Sequence, residues 1–433
     1  MNGFQMAISC VSVLITTICL AQSPSNASRS QLEATESTNS CKAVKEYLDE
    51  LVEEGRIGGA GAMITVDGET TLKHFVGTQR PGGPPIDESS IYRIFSMSKP
   101  ITNVAAMICL EDGLFNLDDP VSRFLPEFKD MNVYVAGTDG KTGTLRPAKS
   151  PITIRQLMLH TSGMYYPESA SPHLARKLNQ AISDANDLAS LSRNLAKLPL
   201  IYDPGEKWVY SISPAILGRL IEVVSKKPFE AFLKERMFNP LKMNATAFAP
   251  TDPQRLVEIQ FSLPEAMSEN QDQDQRTIGP EILTFAMLGI SKLPVIHAGD
   301  SGLFSTLSDY ERFVRMLLNN GELEGTRIIS SSSAKMMRSP QLPIDAGGPP
   351  WFGGTMLVGM NIYTPPDDGT GPQGLPPGSF IGGGAATTAY FADPAVNGTA
   401  VLMTALLPTD NPMATHFMKI CRATMGPMNS KRE

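Results

Sequence analysis

Ser96 and Lys99 are the two residues of this chain whose types and spacing most directly suggest covalent chemistry. They belong to the run Ser96-Met97-Ser98-Lys99, and residues three apart share one face of a helix. A hydroxyl and an amine held side by side can act as a nucleophile and its proton acceptor. The spacing therefore predicts a serine nucleophile activated by a lysine. The same four-residue pattern also arises by chance, so the prediction needs further residues to support it.

The residues around this motif predict a strand followed by a buried helix. The run Ile91 to Phe95 is extended in character, and the apolar run Ile101 to Leu110 has the composition of a buried helix that stops at Gly113. Ser96 would then lie at a helix N-terminus. The unpaired N–H groups and the dipole of such a terminus favour negative charge on the serine and on an oxyanion beside it.

The composition is that of an ordinary globular protein. The 433 residues include 37 Lys and Arg against 44 Asp and Glu, which gives a formal net charge of −7. Because no basic excess is present, we exclude nucleic acid as a partner. The length is sufficient for a large core and more than one domain.

The first 40 residues predict export. Ala7 to Leu20 is an apolar stretch that ends in Cys19-Leu20-Ala21, a small-residue pattern typical of signal-peptide cleavage before Gln22. We therefore predict a signal peptide over 1–21, a disordered tether over 22–40 that is rich in Ser, Asn and Thr, and a secreted or periplasmic protein. The alternative is an uncleaved anchor, but fourteen apolar residues are short for a bilayer.

Three cysteines remain after the predicted cleavage: Cys41, Cys109 and Cys421. They are too scattered for a metal site, so no metal or other cofactor is expected. Cys109 lies on the apolar face of the Ser96 helix, where a buried thiol is expected. Cys41 and Cys421 stand at opposite ends of the mature chain, and we hypothesise that they pair if the terminal helices pack together.

Strand patterns lie near both ends of the mature chain, and helix patterns lie between them. The predicted strands are two within Gly59 to Val76 that turn at Asp67-Gly68, then Thr355 to Tyr363, Thr387 to Ala392 and Thr399 to Leu406. The predicted helices are Cys41 to Gly55, Leu217 to Val224, Pro228 to Phe238, Ser308 to Asn320 and Met413 to Met425.

This order predicts an α/β (α+β) fold in which both termini build one antiparallel sheet. We expect one folded region over 41–425, with an α/β part formed by 41–113 and 290–425. Residues 114–289 would form a mainly helical part, which includes a polar, Gly-rich excursion from Gly137 to Pro147. The Pro/Gly-rich loop Pro365 to Gly378 is predicted to be a mobile lid.

Tyr210 is the third candidate for the site. It follows Pro204-Gly205-Glu206-Lys207-Trp208 and precedes an apolar helix, so a loop would present its hydroxyl. A tyrosine there can pass a proton between a nucleophile and a leaving group. A buried aromatic side chain with a structural hydrogen bond is the alternative.

Five segments of the chain resemble the serine β-lactamase and penicillin-binding-protein superfamily, in particular class C β-lactamases and family VIII carboxylesterases. The resemblance covers roughly Cys41 to Met425. It rests on IFSMSKPIT (Ile94 to Thr102), ITIRQLMLHTSGM (Ile152 to Met164), PGEKWVYS (Pro204 to Ser211), AGDSGLFSTLSDYERF (Ala298 to Phe313) and GGGAATTAYFADP (Gly382 to Pro394). The resemblance implies a β-lactamase/transpeptidase-like fold, with an antiparallel sheet flanked by N- and C-terminal helices plus an all-helical domain.

The same resemblance implies the catalytic residues. Ser96 would be the acylated nucleophile, Lys99 its base and Tyr210 the relay. The backbone N–H groups of Ser96 and Ala385 would form the oxyanion hole.

Two departures from the family pattern bear on the substrate. Ile212 stands where the family's Tyr-x-Asn motif has an amide, and Gly382-Gly383-Gly384 align with the Lys-Thr-Gly or Trp-Gly-Gly motif. No cation remains there to bind a carboxylate, and this favours neutral esters over β-lactams. These four residues are the expected substrate-binding positions.

Three other patterns are set aside. Lys141-Thr142-Gly143 spells the third motif but precedes Tyr210 in the chain. Ser301, in Gly299-Asp300-Ser301-Gly302, matches a glycine turn of the family rather than a nucleophile. His160 is expected to shape the loop after a helix, since no Gly-x-Ser-x-Gly elbow accompanies any histidine.

The sequence therefore predicts an exported serine hydrolase, a carboxylesterase that acts through an acyl-enzyme on a small-molecule ester or amide. A β-lactamase or a D-amino-acid or cell-wall peptidase would use the same three residues. An acyltransferase would differ only by excluding water. A non-catalytic ligand-binding relative stays open as well, and the oligomeric state does not follow from the sequence.

Overall fold

The computed structural model describes residues 41–137, 143–261, 296–339, 342, 356–357, 360–361, 378–407 and 409–425. The predicted signal peptide and tether, and residues 365–377 of the predicted lid, lie outside the described residues. Within the described parts of the chain, no helix is both long and apolar enough to cross a membrane.

Ten α-helices lie in the described residues. Their bounds are α1 (41–53), α2 (Ser98–Glu111), α3 (Ile154–Met158), α4 (Pro172–Ser183), α5 (Leu188–Leu195), α6 (Ser213–Ser225), α7 (Phe229–Leu233), α8 (Leu307–Leu318), α9 (Ser331–Met337) and α10 (Asn411–Thr424). Short 3-10 helices cover Phe95–Met97, Val121–Arg123, Pro126–Phe128, Pro167–Ser169 and Pro253–Arg255, and a π-helical turn, Lys234–Phe238, follows α7.

Fifteen strands lie in the same residues, and most are short. They are β1 (Gly59–Val66), β2 (Glu69–Gly77), β3 (Tyr92–Arg93), β4 (Asn132–Ala136), β5 (Gly143–Pro147), β6 (Gln260–Phe261), β7 (Phe304–Ser305), β8 (Glu322–Leu323), β9 (Thr326–Arg327), β10 (Met356–Leu357), β11 (Met360–Asn361), β12 (Phe380–Gly384), β13 (Thr388–Asp393), β14 (Gly398–Met403) and β15 (Leu406–Leu407).

The main sheet has five antiparallel strands in the order β12-β13-β14-β1-β2, and its middle joins the two ends of the chain. Gly61 of β1 lies opposite Met403 of β14. The β1–β2 hairpin turns at Asp67 and Gly68, both with positive φ, which is the geometry that an Asp-Gly pair favours. The predicted sheet built from both termini is confirmed.

Each face of this sheet is covered by helices. One face packs with α1 and α10, where Phe417 is fully buried among residues of β1, β13 and β14. The other face packs against α8 and belongs to the larger core that also contains α2. In β13 and β14 buried and exposed residues do not alternate. All residues of these two strands are buried, because both faces of the sheet are covered. The α+β class predicted from the sequence is confirmed.

Cys41 and Cys421 belong to or pack against the core cluster formed by α1 and α10, but both are free thiols, as is Cys109. The pairing hypothesised from the sequence is therefore absent from this structure. Burial raises the pKa of the Cys421 thiol well above its ordinary value, and a thiolate charge on nearby Cys41 would raise it further. Cys109 is buried, as expected.

Three segments differ from the predicted elements. The glycine run Phe380 to Gly384 is a strand, although glycines weaken strands and the predicted strand began only at Thr387. The polar excursion after Gly137 includes β5, which pairs with β4. In the described part of 355–363, two short strands pair with each other instead of forming one long strand. The division at residues 113 and 290 stays a prediction.

Candidate active site

Ser96 lies in a strained turn between β3 and α2. Phe95 has φ of +44°, an uncommon value for a residue that carries a side chain. Ser96 is part of the 3-10 helix Phe95–Met97, and α2 follows directly from Ser98. The turn places the partly exposed Ser96 just before the N-terminus of a helix of 14 residues, as the sequence predicted.

The segment from Leu303 to Tyr310 holds this turn in place. The Ile94 N–H donates to the Leu303 carbonyl at 3.1 Å, and the Leu303 N–H donates to Ser98 Oγ at 3.1 Å. From α8, the Tyr310 hydroxyl donates to the Met97 carbonyl at 3.0 Å. The strain at Phe95 is therefore offset by hydrogen bonds to an element that lies some 200 residues later in the chain.

Lys99 is buried beside the candidate nucleophile. Its Nζ lies 3.0 Å from Ser96 Oγ and donates to the Asp300 carbonyl at 2.8 Å. Only 5% of the residue is exposed. The first distance allows direct proton transfer between the serine hydroxyl and the amine, and the second fixes where the amine lies.

Two tyrosine rings flank the Lys99 amine. Nζ lies 4.6 Å from the ring centroid of Tyr210 and 5.3 Å from that of Tyr166. The two ring centroids are 5.4 Å apart. The loop predicted to present Tyr210 therefore brings it to Lys99, and Tyr166 completes an aromatic enclosure around the amine.

Tyr166 also binds Asp300, the residue whose carbonyl accepts from Lys99. The Tyr166 hydroxyl donates to Asp300 Oδ2 at 2.6 Å, and Ser301 Oγ donates to the same oxygen at 3.2 Å. Asp300 Oδ1 is buried and has no hydrogen-bond partner among the residues that the structure describes. Asp300 thus contacts the amine through its backbone while two hydroxyls hold one oxygen of its carboxylate.

His160 fixes the loop that contains Tyr210. It has φ of +58°, its carbonyl accepts from the Val209 N–H at 2.9 Å, and its Nδ1 accepts from the Ser211 N–H at 3.2 Å. These bonds bracket Tyr210, whose ring centroid lies 5.0 Å from that of His160. Burial, and then the charge of Lys99, lower the pKa of His160 to about 3. A neutral imidazole therefore supports the tyrosine, in agreement with the predicted structural role of His160.

Ile212 caps the N-terminus of α6 and is buried. It helps to line a small apolar cavity of about 20 Å³, whose other walls include Met131, Met164, Tyr165 and Leu178. The cavity is about the size of one water molecule and offers few polar groups, so an apolar atom suits it better. An amide at position 212 would enter an apolar wall.

Strand β12 runs alongside the Ser96 turn. A Cβ atom on Gly384 would collide with the Ile94 carbonyl oxygen, so a glycine is required for this approach. Ala385 follows in the turn to β13, and its carbonyl accepts from Thr409 Oγ1 at 2.7 Å. Ala385, whose N–H is expected to complete the oxyanion hole, is therefore held at its carbonyl by Thr409 and follows the glycine that contacts the same turn.

The structure brings Ser96, Lys99 and Tyr210 together and places β12 next to them, and the predicted roles of these residues stay predictions. Ser301 points its hydroxyl at Asp300 Oδ2. Lys141 and Thr142 lie outside the described residues. Sequence analysis missed Tyr166 and Asp300. Their signal in the sequence was only their position: Tyr166 lies two residues after the motif that ends at Met164, and Asp300 lies inside the motif that begins at Ala298.

A family model described as Beta-lactamase matches residues 44–421 of the chain. The chain is 31% identical to protein Rv1367c of Mycobacterium tuberculosis over 364 residues, which is 81% of this chain and 86% of the relative. It is 26% identical to esterase EstB of Burkholderia gladioli over 82% of this chain and 88% of that esterase. Lovastatin esterase of Penicillium rubens is 28% identical over 62% of this chain and 66% of that enzyme.

Solved structures share the fold. The hydrolase EstCE1, which is described as having promiscuous acyltransferase activity, aligns with a TM-score of 0.70 at 23% identity over 91% of this chain and its own full length. Simvastatin synthase from Aspergillus terreus aligns with a TM-score of 0.72 at 22% identity over 89% of this chain and 98% of its own. The chain belongs to the beta-lactamase family and is a serine hydrolase of that fold.

Proposed function

We propose that this hydrolase is a carboxylesterase that forms an acyl-enzyme on Ser96. The observation that supports this most directly is the 3.0 Å separation between Lys99 Nζ and Ser96 Oγ beside a strand without charged side chains. The relatives named as esterases support the same substrate class.

In the proposed first step, Ser96 Oγ attacks the ester carbonyl while its proton passes to Lys99. The backbone N–H groups of Ser96 and Ala385 stabilise the oxyanion, and each such donor contributes roughly 3 kcal/mol. The C–O bond to the alcohol then breaks, and the alcohol leaves with a proton that Lys99 returns through Tyr210.

In the second step, water attacks the acyl group on Ser96. Lys99 and Tyr210 accept the proton from this water and return it to Ser96 Oγ as the carboxylic acid leaves. In these two steps Ser96, Lys99, Tyr210 and water donate and accept every proton, and water is the only co-substrate.

The preference for neutral esters rests on the side chains of β12. Phe380, Ile381 and three glycines carry no charge, so a carboxylate on the substrate meets no cation from this strand. A charge-assisted hydrogen bond typically contributes about 1.5–3 kcal/mol, and its absence weakens the binding of β-lactams and peptide carboxylates.

The test is hydrolysis of p-nitrophenyl acetate and butyrate beside a chromogenic cephalosporin. The protein from Gln22 is compared with its Ser96→Ala variant, and a fluorophosphonate probe reports covalent labelling. We expect ester turnover and labelling that both disappear in the variant, with little cephalosporin cleavage. Dominant cephalosporin turnover would contradict the esterase proposal. Absence of turnover and of labelling would favour the ligand-binding alternative.

Acyl transfer is a second candidate, because relatives of the chain include monacolin J acid methylbutanoyltransferase of Aspergillus terreus, 26% identical over 60% of this chain and 59% of that enzyme. Adding an alcohol such as methanol or 1-butanol to the p-nitrophenyl butyrate assay separates the two. Both reactions release p-nitrophenol. Hydrolysis gives butyric acid as the acyl product, whereas transfer gives the butyrate ester of the added alcohol in proportion to its concentration.

We also propose that the protein is exported after cleavage before Gln22. The proposal rests on the apolar stretch Ala7 to Leu20 and the small residues that follow it. N-terminal sequencing of the protein from the periplasm or culture medium should give Gln22 first. Full-length protein in the cytoplasm, with Met1 retained, would contradict export.

A further inference from the structure

Strand β12 borders the Ser96 turn with three residues that carry no side chain, Gly382, Gly383 and Gly384. Gly382 and Gly383 of β12 are partly exposed, and Gly384 lies against the Ile94 carbonyl just before the nucleophile turn. Any polar group that acts along this border must therefore come from the backbone or from a neighbouring strand.

Tyr390 of β13 places its ring in the space left by Gly382. The two residues are directly opposed in the antiparallel register, so their side chains share one face of the sheet. A Cβ atom on Gly382 would lie 2.6 Å from the Tyr390 hydroxyl oxygen and would also collide with the ring. The phenol therefore occupies the position at which a side chain of residue 382 would begin.

The hydroxyl of Tyr390 is buried and has no hydrogen-bond partner in the structure described. The ring is held by Tyr310, with centroids 5.6 Å apart, and Tyr310 is itself bound to the Met97 carbonyl. A buried hydroxyl without a hydrogen bond lowers the stability of the fold, so a functional role is one reason for a protein to keep it. Beside a partly exposed glycine, a ligand oxygen can become its partner.

Tyr390 also lies within electrostatic reach of Tyr210. Its pKa is raised first by burial and second by the charge that Tyr210 would have as a phenolate. Tyr390 is therefore near enough to Tyr210 for an electrostatic interaction, and the strand register places it opposite Gly382.

We propose that Tyr390 is a specificity-determining residue: its ring keeps position 382 without a side chain, and its hydroxyl donates a hydrogen bond to an uncharged oxygen of the ester above Gly382. The substrate class is then an ester without an anionic group beside the scissile bond. This inference rests on the proposed esterase function and adds the residue that selects for neutral substrates.

The first test compares Tyr390→Phe with wild type on neutral p-nitrophenyl acetate and on the anionic mono-p-nitrophenyl ester of adipic acid. We expect kcat/KM for the acetate to fall about tenfold, since one neutral donor to the substrate is lost. The unfolding temperature should stay the same or rise, because the removed hydroxyl has no partner in the fold. Unchanged kcat/KM would overturn the proposal.

Tyr92→Phe is the matched control. Tyr92 is also buried, and its hydroxyl has no hydrogen-bond partner in the described part of the chain. That hydroxyl lies 3.3 Å from the position that a Cβ atom would take on Gly61, also a strand glycine. That glycine is in β1, three strands away from β12. The control should keep wild-type kcat/KM on both esters, and an equal loss in both variants would overturn a specific role for Tyr390.

The second test introduces a cation with and without the obstructing ring. Gly382→Lys alone should lower the unfolding temperature and the activity on both esters, because the new side chain meets the Tyr390 ring. With Tyr390→Ala added, the adipate ester should gain at least tenfold over the acetate in relative kcat/KM. A Gly382→Lys variant that is as stable as wild type would overturn the steric part of the proposal.

Different results would contradict the esterase function and the role of Tyr390. A wild-type protein without ester turnover and without labelling of Ser96 would contradict the esterase function. Equal turnover by wild type and Tyr390→Phe would leave the esterase intact and remove Tyr390 from it.

Discussion

Asp300 links the two groups that surround the Lys99 amine. Its carbonyl accepts from Lys99 at 2.8 Å, and its carboxylate accepts from Tyr166 at 2.6 Å. A buried carboxylate that loses a donor has few ways to compensate. The position of the amine therefore depends on a phenol that need not touch the substrate.

We expect Tyr166→Phe to lower the free energy of unfolding by about 1–3 kcal/mol, because Asp300 Oδ2 then loses the shorter of the two hydrogen bonds that it accepts from described residues. The kcat for p-nitrophenyl acetate should fall about tenfold with little change in KM. The reason is that the Lys99 amine is displaced while the contacts of the substrate are unchanged. Urea unfolding and steady-state kinetics measure both. Tyr165→Phe, which removes a neighbouring buried hydroxyl without a partner in the described chain, should change neither.

His160 should make stability depend on pH in a defined window. Its pKa is about 3 in the folded protein against about 6.5 when unfolded, so the unfolded chain binds the extra proton first. The contribution of His160 is complete above pH 6.5 and decreases by about 1.4 kcal/mol per pH unit as the pH falls toward 3.

His160→Asn tests this window, because asparagine tolerates the positive φ of residue 160 and can still accept from Ser211. Urea titrations at pH 4.5, 5.5 and 7.5 should show a pH slope lower by up to one proton in the variant. Parallel slopes for the two proteins would mean that His160 does not titrate on unfolding.

Ser96, Lys99 and Tyr210 could be selected as candidates from the sequence because each lies in a recognisable local pattern, and the structure places them together. Tyr166 and Asp300 could not, because their relation is a single hydrogen bond across 134 residues. A role for Tyr390 could not be predicted either, because its position opposite Gly382 follows from the strand register.

Strand β12 shows how an element of low intrinsic preference can be required by its neighbours. Its glycines disfavour a strand, yet Gly384 is the residue that allows β12 to approach the Ile94 carbonyl. Propensity alone therefore missed a strand that contacts the nucleophile turn. The longer predicted helices and strands were found because their apolar patterns extend over several residues, whereas two-residue strands such as β3 and β7 exist only through tertiary pairing.

Gly384→Ala should move β12 away from the Ser96 turn, because the obstructing atom is backbone and cannot rotate aside. We expect kcat to fall about 10²–10³-fold, the effect of losing one oxyanion donor, with slower fluorophosphonate labelling of Ser96. Gly398→Ala in β14 is the control, since its Cβ would meet the end of the flexible Met425 side chain, with Sδ at 2.7 Å. Similar kcat values in the two variants would contradict the assigned position of β12.

The first and last helices of the described chain, α1 and α10, pack together on one face of the sheet. Cys41 is partly exposed at the start of α1, and Cys421 is fully buried in α10. We expect the protein from Gln22 to show three thiols in denaturant without reductant. Only Cys41 should react with Ellman's reagent in the native state at neutral pH, because burial raises the pKa of Cys109 to about 12 and that of Cys421 well above its ordinary value. A count of one thiol in denaturant, with Cys109 as the labelled residue, would mean that Cys41 and Cys421 do pair.

The central pairing of β1 with β14 joins residues such as Gly61 and Met403. During synthesis, β1 and β2 emerge from the ribosome long before the strand that completes their sheet, so the nascent hairpin has an unpaired edge and an uncovered apolar face for most of translation. Pairing across so long a separation also makes folding slow, because loop closure must precede the contacts that reward it. The chain should therefore depend on chaperones until its last helix is made, and fragments that end before β14 should aggregate rather than fold.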